Sequence, residues 1–253
     1  MKKILADNLK FLYRRISNPS PVIILGMPKS GTTVIAALLG KRTGQKTLLD
    51  TPLFWHPYTF SLLKKEIFLK KHLKQHSSLL SYKILKEPNF TLLFEDFYKL
   101  FPKAKFIYIV RKPEDNIRSI LNRIGIAGSM EEFTDYSSLD KGWHGTFNDY
   151  YSDKTHYIEK LSDLWVKYTN IYLAKPEKFI LVRYEDFIDN KEMVIDGVVS
   201  KIKMQAKFDI ASDVNKQFQP KGNSTISYDD FFKGNLCLIS DICAENASAF
   251  SYI

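Results

Sequence analysis

Gly26-Met27-Pro28-Lys29-Ser30-Gly31-Thr32-Thr33 gathers two glycines five apart, one ammonium group and three hydroxyls within eight residues. Such a set suits an anion. Glycine lets the backbone bend until several N–H groups point at one place, and a helix opening there adds the positive end of its dipole. A second set follows later in the chain, Arg111-Lys112-Pro113-Glu114-Asp115-Asn116-Ile117-Arg118-Ser119. The planar fork of Arg111 matches a phosphate, and Ser119, eight residues on, adds a hydroxyl donor. The plain alternatives are a glycine turn for the first set and an Arg111–Asp115 ion pair for the second.

The glycine spacing of the first loop equals that of the nucleoside-triphosphate loop G-x-x-x-x-G-K-[ST], but Thr32 stands where that loop has lysine. The lysine has moved inside, to position 29. There it reaches the first phosphate and whatever is bonded to it, which suits a short anhydride better than a metal-bound triphosphate. A P-loop nucleotide or small-molecule kinase, the main rival reading, needs lysine after Gly31.

The flanks decide between anion sites and plain turns. Val22-Ile23-Ile24-Leu25 is a β-branched apolar run ending in Gly26 and reads as a buried parallel strand. A helix over 32–39 follows, ending near Gly40. Leu48 and Leu49 close a short second strand. Residues 60–73 read as a helix, 79–85 as a strand, 90–100 as a helix stopped by Pro102, and 105–110 as a strong strand. Pro113 opens a helix running to residue 124, at the position proline favours. Residues 125–152 are loop-like, 153–174 a long helix, and 179–182 a strand after which Tyr184 begins another turn. From Gln219 a polar loop leads to a closing helix. Strands alternating with helices predict an α/β fold whose parallel sheet is covered on both faces. Both candidate loops then follow strands, at the carboxyl ends where such sheets bind ligands.

Pro28-Lys29-Ser30-Gly31-Thr32-Thr33 resembles the 5′-phosphosulfate loop of the sulfotransferases that use 3′-phosphoadenosine 5′-phosphosulfate (PAPS), and Arg111-x-Pro-x-Asp-x-x-x-Ser119 resembles their 3′-phosphate motif. With Val182-Arg183-Tyr184-Glu185-Asp186-Phe187 as the segment after the last core strand, the resemblance spans residues 21–185. It implies a P-loop sulfotransferase fold, with a central parallel sheet of about five strands, and transfer of a sulfuryl group from PAPS to a hydroxyl or amine, releasing adenosine 3′,5′-bisphosphate without a metal. Pro28, Lys29, Ser30, Gly31, Thr32, Thr33, Arg111 and Ser119 would hold the nucleotide, with Tyr184 near the adenine and Lys221, before Gly222, as the echo of a late Arg-Lys-Gly segment. Lys29 would neutralise the bridge oxygen, and Lys86 would face the sulfuryl group from the other side.

This chain departs from the cytosolic members. Val34 replaces a tryptophan that stacks on adenine, and Lys86-Glu87-Pro88 stands where they carry a Lys-Thr-His stretch with the catalytic histidine. The resemblance is closer to bacterial and Golgi carbohydrate or tyrosyl-protein enzymes. The base must come from elsewhere. Asp50 ranks first, since it ends a strand 21 residues after Lys29; Glu87 is second and His56 third.

The whole chain agrees with this reading. Its 253 residues, 45% apolar and 26% charged, suit one α/β domain over 1–253, with acceptor-binding insertions near 51–80 and 125–152. Phe54, Trp55, Tyr58, Trp143 and Phe147 in those insertions suit either a sugar platform or the core. The net charge of +9 favours an anionic ligand. It also raises a nucleic-acid-binding module as a rival, but the expected partner is a small-molecule or carbohydrate acceptor and not nucleic acid. Lys64, Lys65, Lys70, Lys71 and Lys74 read as a solvated helix face. Residues 1–16 read as a basic amphipathic helix that packs on its own domain, with peripheral membrane contact as the alternative. No transmembrane segment is expected. Cys237 and Cys243, six apart in a helix, point to different sides and are not expected to pair, which favours a reducing, cytoplasmic location.

Overall fold

The computed structural model describes residues 20–140, 142–143, 145–216 and 226–252. Five strands, β1 (Val22–Gly26), β2 (Thr47–Leu49), β3 (Ile84–Lys86), β4 (Lys105–Val110) and β5 (Phe179–Arg183), form one sheet in the order β2-β3-β1-β4-β5. Every pairing is parallel. The chain leaves β1, builds the β2–β3 side, then returns on the other side as β4. The crevice beyond the carboxyl end of β1 is therefore the point where the winding reverses, the usual ligand site of such sheets.

Around the sheet lie α1 (Thr32–Thr43), α2 (Tyr58–Leu63), α3 (Leu69–Gln75), α4 (Phe94–Leu100), α5 (Pro113–Ile124), α6 (Tyr157–Leu173), α7 (Tyr184–Asp189), α8 (Lys191–Lys201), α9 (Tyr228–Phe232) and α10 (Leu236–Ala249). Side chains of a strand alternate between faces, and both faces here are apolar. Val22, Ile24, Ile107 and Ile109 pack under α1 and α8 with Ile35, Leu39, Ile195 and Val198. Ile23, Leu25, Phe106, Tyr108 and Val110 face the other way, onto α5, α6 and α10, with Ile117, Leu161, Trp165 and Ile239. Trp165, Tyr108 and Tyr168 are among the largest fully buried side chains, and burial of each large apolar group contributes about 1.5–3 kcal/mol.

Several expected elements differ. The helix expected over 60–73 is two helices, because α2 stops where Lys65 takes a left-handed φ of 62° and Ile67 N–H reaches back to the Ser61 carbonyl (3.1 Å). The Lys65 N–H donates to the Leu62 carbonyl (3.2 Å), the inner bond of a Schellman-type cap. The strand expected over 79–85 is Ile84–Lys86 alone: β1 starts at Val22, the partner of Ile84, so earlier residues have no strand to bond, and Ser77–Ser81 forms a 3₁₀ turn. The helix expected from residue 90 starts at Phe94, behind a 3₁₀ turn at Pro88–Phe90. The helix expected from residue 153 starts at Tyr157, where His156 accepts the Ile158 N–H. Cys237 is exposed and Cys243 buried on α10, both as free thiols. No helix among the described residues is long and apolar enough to cross a membrane. The expected helix over 1–16, Lys221 and Gly222 lie outside the described residues.

Candidate active site

Each strand delivers at least one candidate to the same edge. In sheet order these are Asp50 after β2, Lys86 and Glu87 at the end of β3, the glycine loop after β1, Arg111 after β4 and Tyr184 after β5. One cavity of about 1080 Å³ is lined by Asp50, Lys86, Glu87, Arg111 and Tyr184, by Pro28, Lys29, Gly31, Thr32 and Thr33 of the loop, and by Val34 and Ser119, while Ser30 is buried and does not line it.

The loop owes its shape to close contacts. A Cβ on Gly26, at φ 143°, would lie 2.4 Å from the Ile109 carbonyl oxygen. The Gly26 N–H donates to Thr91 Oγ1 (2.9 Å), the Ser30 hydroxyl to the Met27 carbonyl (2.8 Å) and Asn116 Nδ2 to the Pro28 carbonyl (2.9 Å). Lys29 and Gly31 both take positive φ, 69° and 96°. Gly31 is the N-cap of α1 and has no side chain to offer the first amides of the helix, the arrangement that receives phosphates. Burial pushes the Lys29 ammonium down to a pKa of about 8, helped by Arg123, Arg111 and Lys86 nearby. The loop therefore sits in a field of positive charge.

Arg111 reaches across to that loop. Its Nη1 donates to the Lys29 carbonyl (3.2 Å), its guanidinium lies 4.6 Å from the Tyr184 ring centre, and its buried Nε has no partner among the described residues. Trp165 Nε1 holds the Arg111 carbonyl (3.0 Å). Asp115 bonds Arg118 (2.6 Å), so the ion pair considered as the plain reading of the Arg111 motif does not form. A Cβ on Gly31 would fall 2.2 Å from Tyr184 Cδ2, so glycine is what lets the ring lie against the loop.

The carboxylates divide the other end of the cavity. Asp50, at φ 66°, pairs with Lys86 Nζ at 2.5 Å; the Asp50 side chain is 34% exposed and that of Lys86 only 3%. Glu87 is buried. Its Oε2 accepts the Thr51 N–H (3.0 Å) and Trp55 Nε1–H (3.1 Å), and its Oε1 the Asn89 N–H (3.3 Å). Desolvation raises its pKa to about 7 against these donors, with the Asp50 charge adding to the rise. His56 is exposed on the cavity wall.

A family model described as a sulfotransferase domain matches residues 19–228. The chain belongs to the sulfotransferase family. Solved structures of similar fold include sulfotransferase STF9 from Mycobacterium avium (15% identity, TM-score 0.57, covering 98% of this chain and 81% of that one). STF1 from Mycobacterium tuberculosis H37Rv (11%, 0.54, 93% and 78%) and a sulfotransferase from Alicyclobacillus acidocaldarius (13%, 0.51, 92% and 98%) are also similar. No curated protein matches the sequence.

In this sulfotransferase the segments 51–80 and 125–152 share one wall of the cavity. Trp55, His56, Thr59 and Phe60 line the cavity with Asp140, Gly142, Trp143, Thr146 and Tyr151. The Phe60 ring lies 5.3 Å from Tyr151, and Gly142 abuts Trp55. Of the five aromatics with two possible uses, Trp55 and Trp143 reach the cavity, Phe54 and Phe147 belong to the core, and Tyr58 is 41% exposed. Sequence reasoning missed Asn116, which is fully buried with Oδ1 unpartnered among the described residues, and Arg118 and Arg123, which extend the cationic wall. Their positions on α5, one and two turns from residues already singled out, were the available signal.

Proposed function

We propose that this sulfotransferase takes its sulfuryl group from PAPS and passes it to a hydroxyl, or an amine, of a small-molecule or carbohydrate acceptor. The observation that carries the reading is that Lys29 and Arg111 line one cavity and touch each other through the Lys29 carbonyl. Residues with these donors fit the ligand. The loop from Pro28 to Thr33 suits the 5′-phosphosulfate, Arg111 and Ser119 the 3′-phosphate, and Tyr184 the adenine side, with Lys221, outside the described residues, as a further candidate.

In-line transfer breaks the bond between sulfur and the bridge oxygen while the acceptor oxygen bonds to sulfur, and charge builds on the bridge oxygen. The Lys29 ammonium meets that charge, and α1 amides meet the 5′-phosphate. Lys86, fixed by Asp50 at 2.5 Å, faces the sulfuryl oxygens. Asp50 accepts the acceptor proton. It is the better base because its carboxylate reaches the cavity, whereas Glu87 spends both oxygens on three N–H donors that hold the acceptor wall. The chain acts as one domain over 1–253, with 51–80 and 125–152 selecting the acceptor.

Thermal-shift measurements test the donor. Adenosine 3′,5′-bisphosphate should stabilise the protein and ATP with Mg²⁺ should not; stabilisation by ATP with Mg²⁺ alone refutes the assignment. For the base, Asp50→Asn should lower kcat by about 10²-fold or more and leave bisphosphate binding intact. An unchanged kcat removes Asp50 from the role.

A further inference from the structure

The α2–α3 corner departs from what local sequence preference and packing favour. Phe68 is 66% exposed, more than any other large hydrophobic residue among those described. It is also the N-cap of α3, its carbonyl accepting the Lys71 and His72 N–H groups at 2.9 and 3.0 Å. That position favours Ser, Thr, Asp or Asn, whose side chains satisfy the first amides, and Phe68 supplies no such bond. Neither capping nor core packing accounts for the ring. A residue that breaks a local rule without a packing gain points to a surface role.

Its surroundings say which. Residues 64–74 carry five lysines, Lys64, Lys65, Lys70, Lys71 and Lys74, against one glutamate, Glu66. All six are exposed. Lys65 pairs with Asp96, which leaves Lys64 and the three on α3 as the working cations. On α3, Leu69, His72 and Leu73 are buried while Lys70, Lys71 and Lys74 share the outer face. An aromatic ring standing among ammonium groups matches the layering of a bilayer with acidic headgroups, where the ring enters the acyl boundary and the lysines meet phosphates. A polyanion in water would use the lysines and leave Phe68 unoccupied.

We infer that this corner docks the enzyme on an anionic membrane surface. The inference is independent of the donor and of the base. It bears on acceptor choice because Thr59 and Phe60 of α2 line the cavity and His72 Nε2, 2.9 Å from the Leu53 carbonyl oxygen, ties α3 to the same wall. A docked enzyme carries its acceptor wall one helix from the bilayer.

Vesicle co-sedimentation of the full chain tests this, using phosphatidylcholine alone and phosphatidylcholine with roughly one-third phosphatidylglycerol. Binding should need the anionic lipid and weaken as salt rises. Each lysine near such a surface is worth about fivefold in affinity, so Lys70→Gln/Lys71→Gln/Lys74→Gln should bind on the order of 100-fold more weakly. Phe68→Ser should lose about tenfold. The lysine variant alters exposed groups and should keep the wild-type Tm, Phe68→Ser gains a capping hydroxyl and should melt no lower, and both should keep the shift with adenosine 3′,5′-bisphosphate, which separates loss of docking from loss of the fold or of the donor site. Equal binding to both vesicles, or a lysine variant that sediments like wild type, overturns the inference. So does lysine-dependent binding of heparin together with vesicle binding that ignores Phe68→Ser, since the corner would then be a polyanion site.

Discussion

Lys29 offers a pH test of the anion cradle. With no anion bound, burial and the three neighbouring cations hold its pKa near 8 instead of 10.5. A bisphosphate placed against the ammonium favours the charged form and raises that pKa again, so binding above pH 8 must take up a proton. If affinity follows the protonated fraction, it falls about tenfold between about pH 7 and about pH 9. Over that span the guanidinium of Arg111 stays charged and a phosphate monoester has already lost its second proton, so neither contributes to the slope. Titration calorimetry with adenosine 3′,5′-bisphosphate measures it directly. Repeating the alkaline titration in two buffers of different ionisation enthalpy counts the protons taken up. Lys29→Met should bind about 10–100-fold more weakly at neutral pH, the loss of one charge-assisted contact, and its affinity should not change with pH. A flat wild-type profile, or the same slope in Lys29→Met, would refute the placement of Lys29 against the phosphates.

Three further outcomes follow from particular contacts. Gly31→Ala puts a methyl 2.2 Å from Tyr184 Cδ2 at φ 96°; thermal denaturation should show a loss of roughly 2–4 kcal/mol, and adding Tyr184→Ala should recover the steric part but not the backbone part. Thr91→Val strands the Gly26 N–H that its hydroxyl accepts and should cost about 1–3 kcal/mol in chemical denaturation; a neutral result would show that the loop does not depend on this anchor. Glu87 binds its proton more tightly folded (pKa about 7) than unfolded (4.5), so its contribution is complete below about pH 4.5 and fades as pH rises through 7, by up to about 3 kcal/mol. Denaturation of Glu87→Gln across that range should lack this slope, and equal slopes in both proteins would contradict the raised pKa.

Much of the fold is legible because each central strand is buried on both faces. Val22 to Leu25 and Phe106 to Val110 are unbroken apolar runs, and Gly26 and Pro113 punctuate their ends. The α2–α3 break was hidden because the left-handed cap residue is Lys65 and not glycine. The short β3 was overextended because apolar residues before Ile84 look like strand, whereas strand length is set by what lies alongside.

The sequence by itself determined the two anion motifs, their places after apolar strands and the order of the elements, because glycine spacing, strand alternation and proline position act over a few residues. Only the tertiary structure decided which groups meet. Strand order, a long-range property, sets Asp50 beside Lys86 across 36 positions and Arg111 against Lys29 across 82. It likewise turns Glu87 inward to hold the Thr51–Trp55 segment. Such pairings depend on packing of the whole sheet, and no local pattern encodes them.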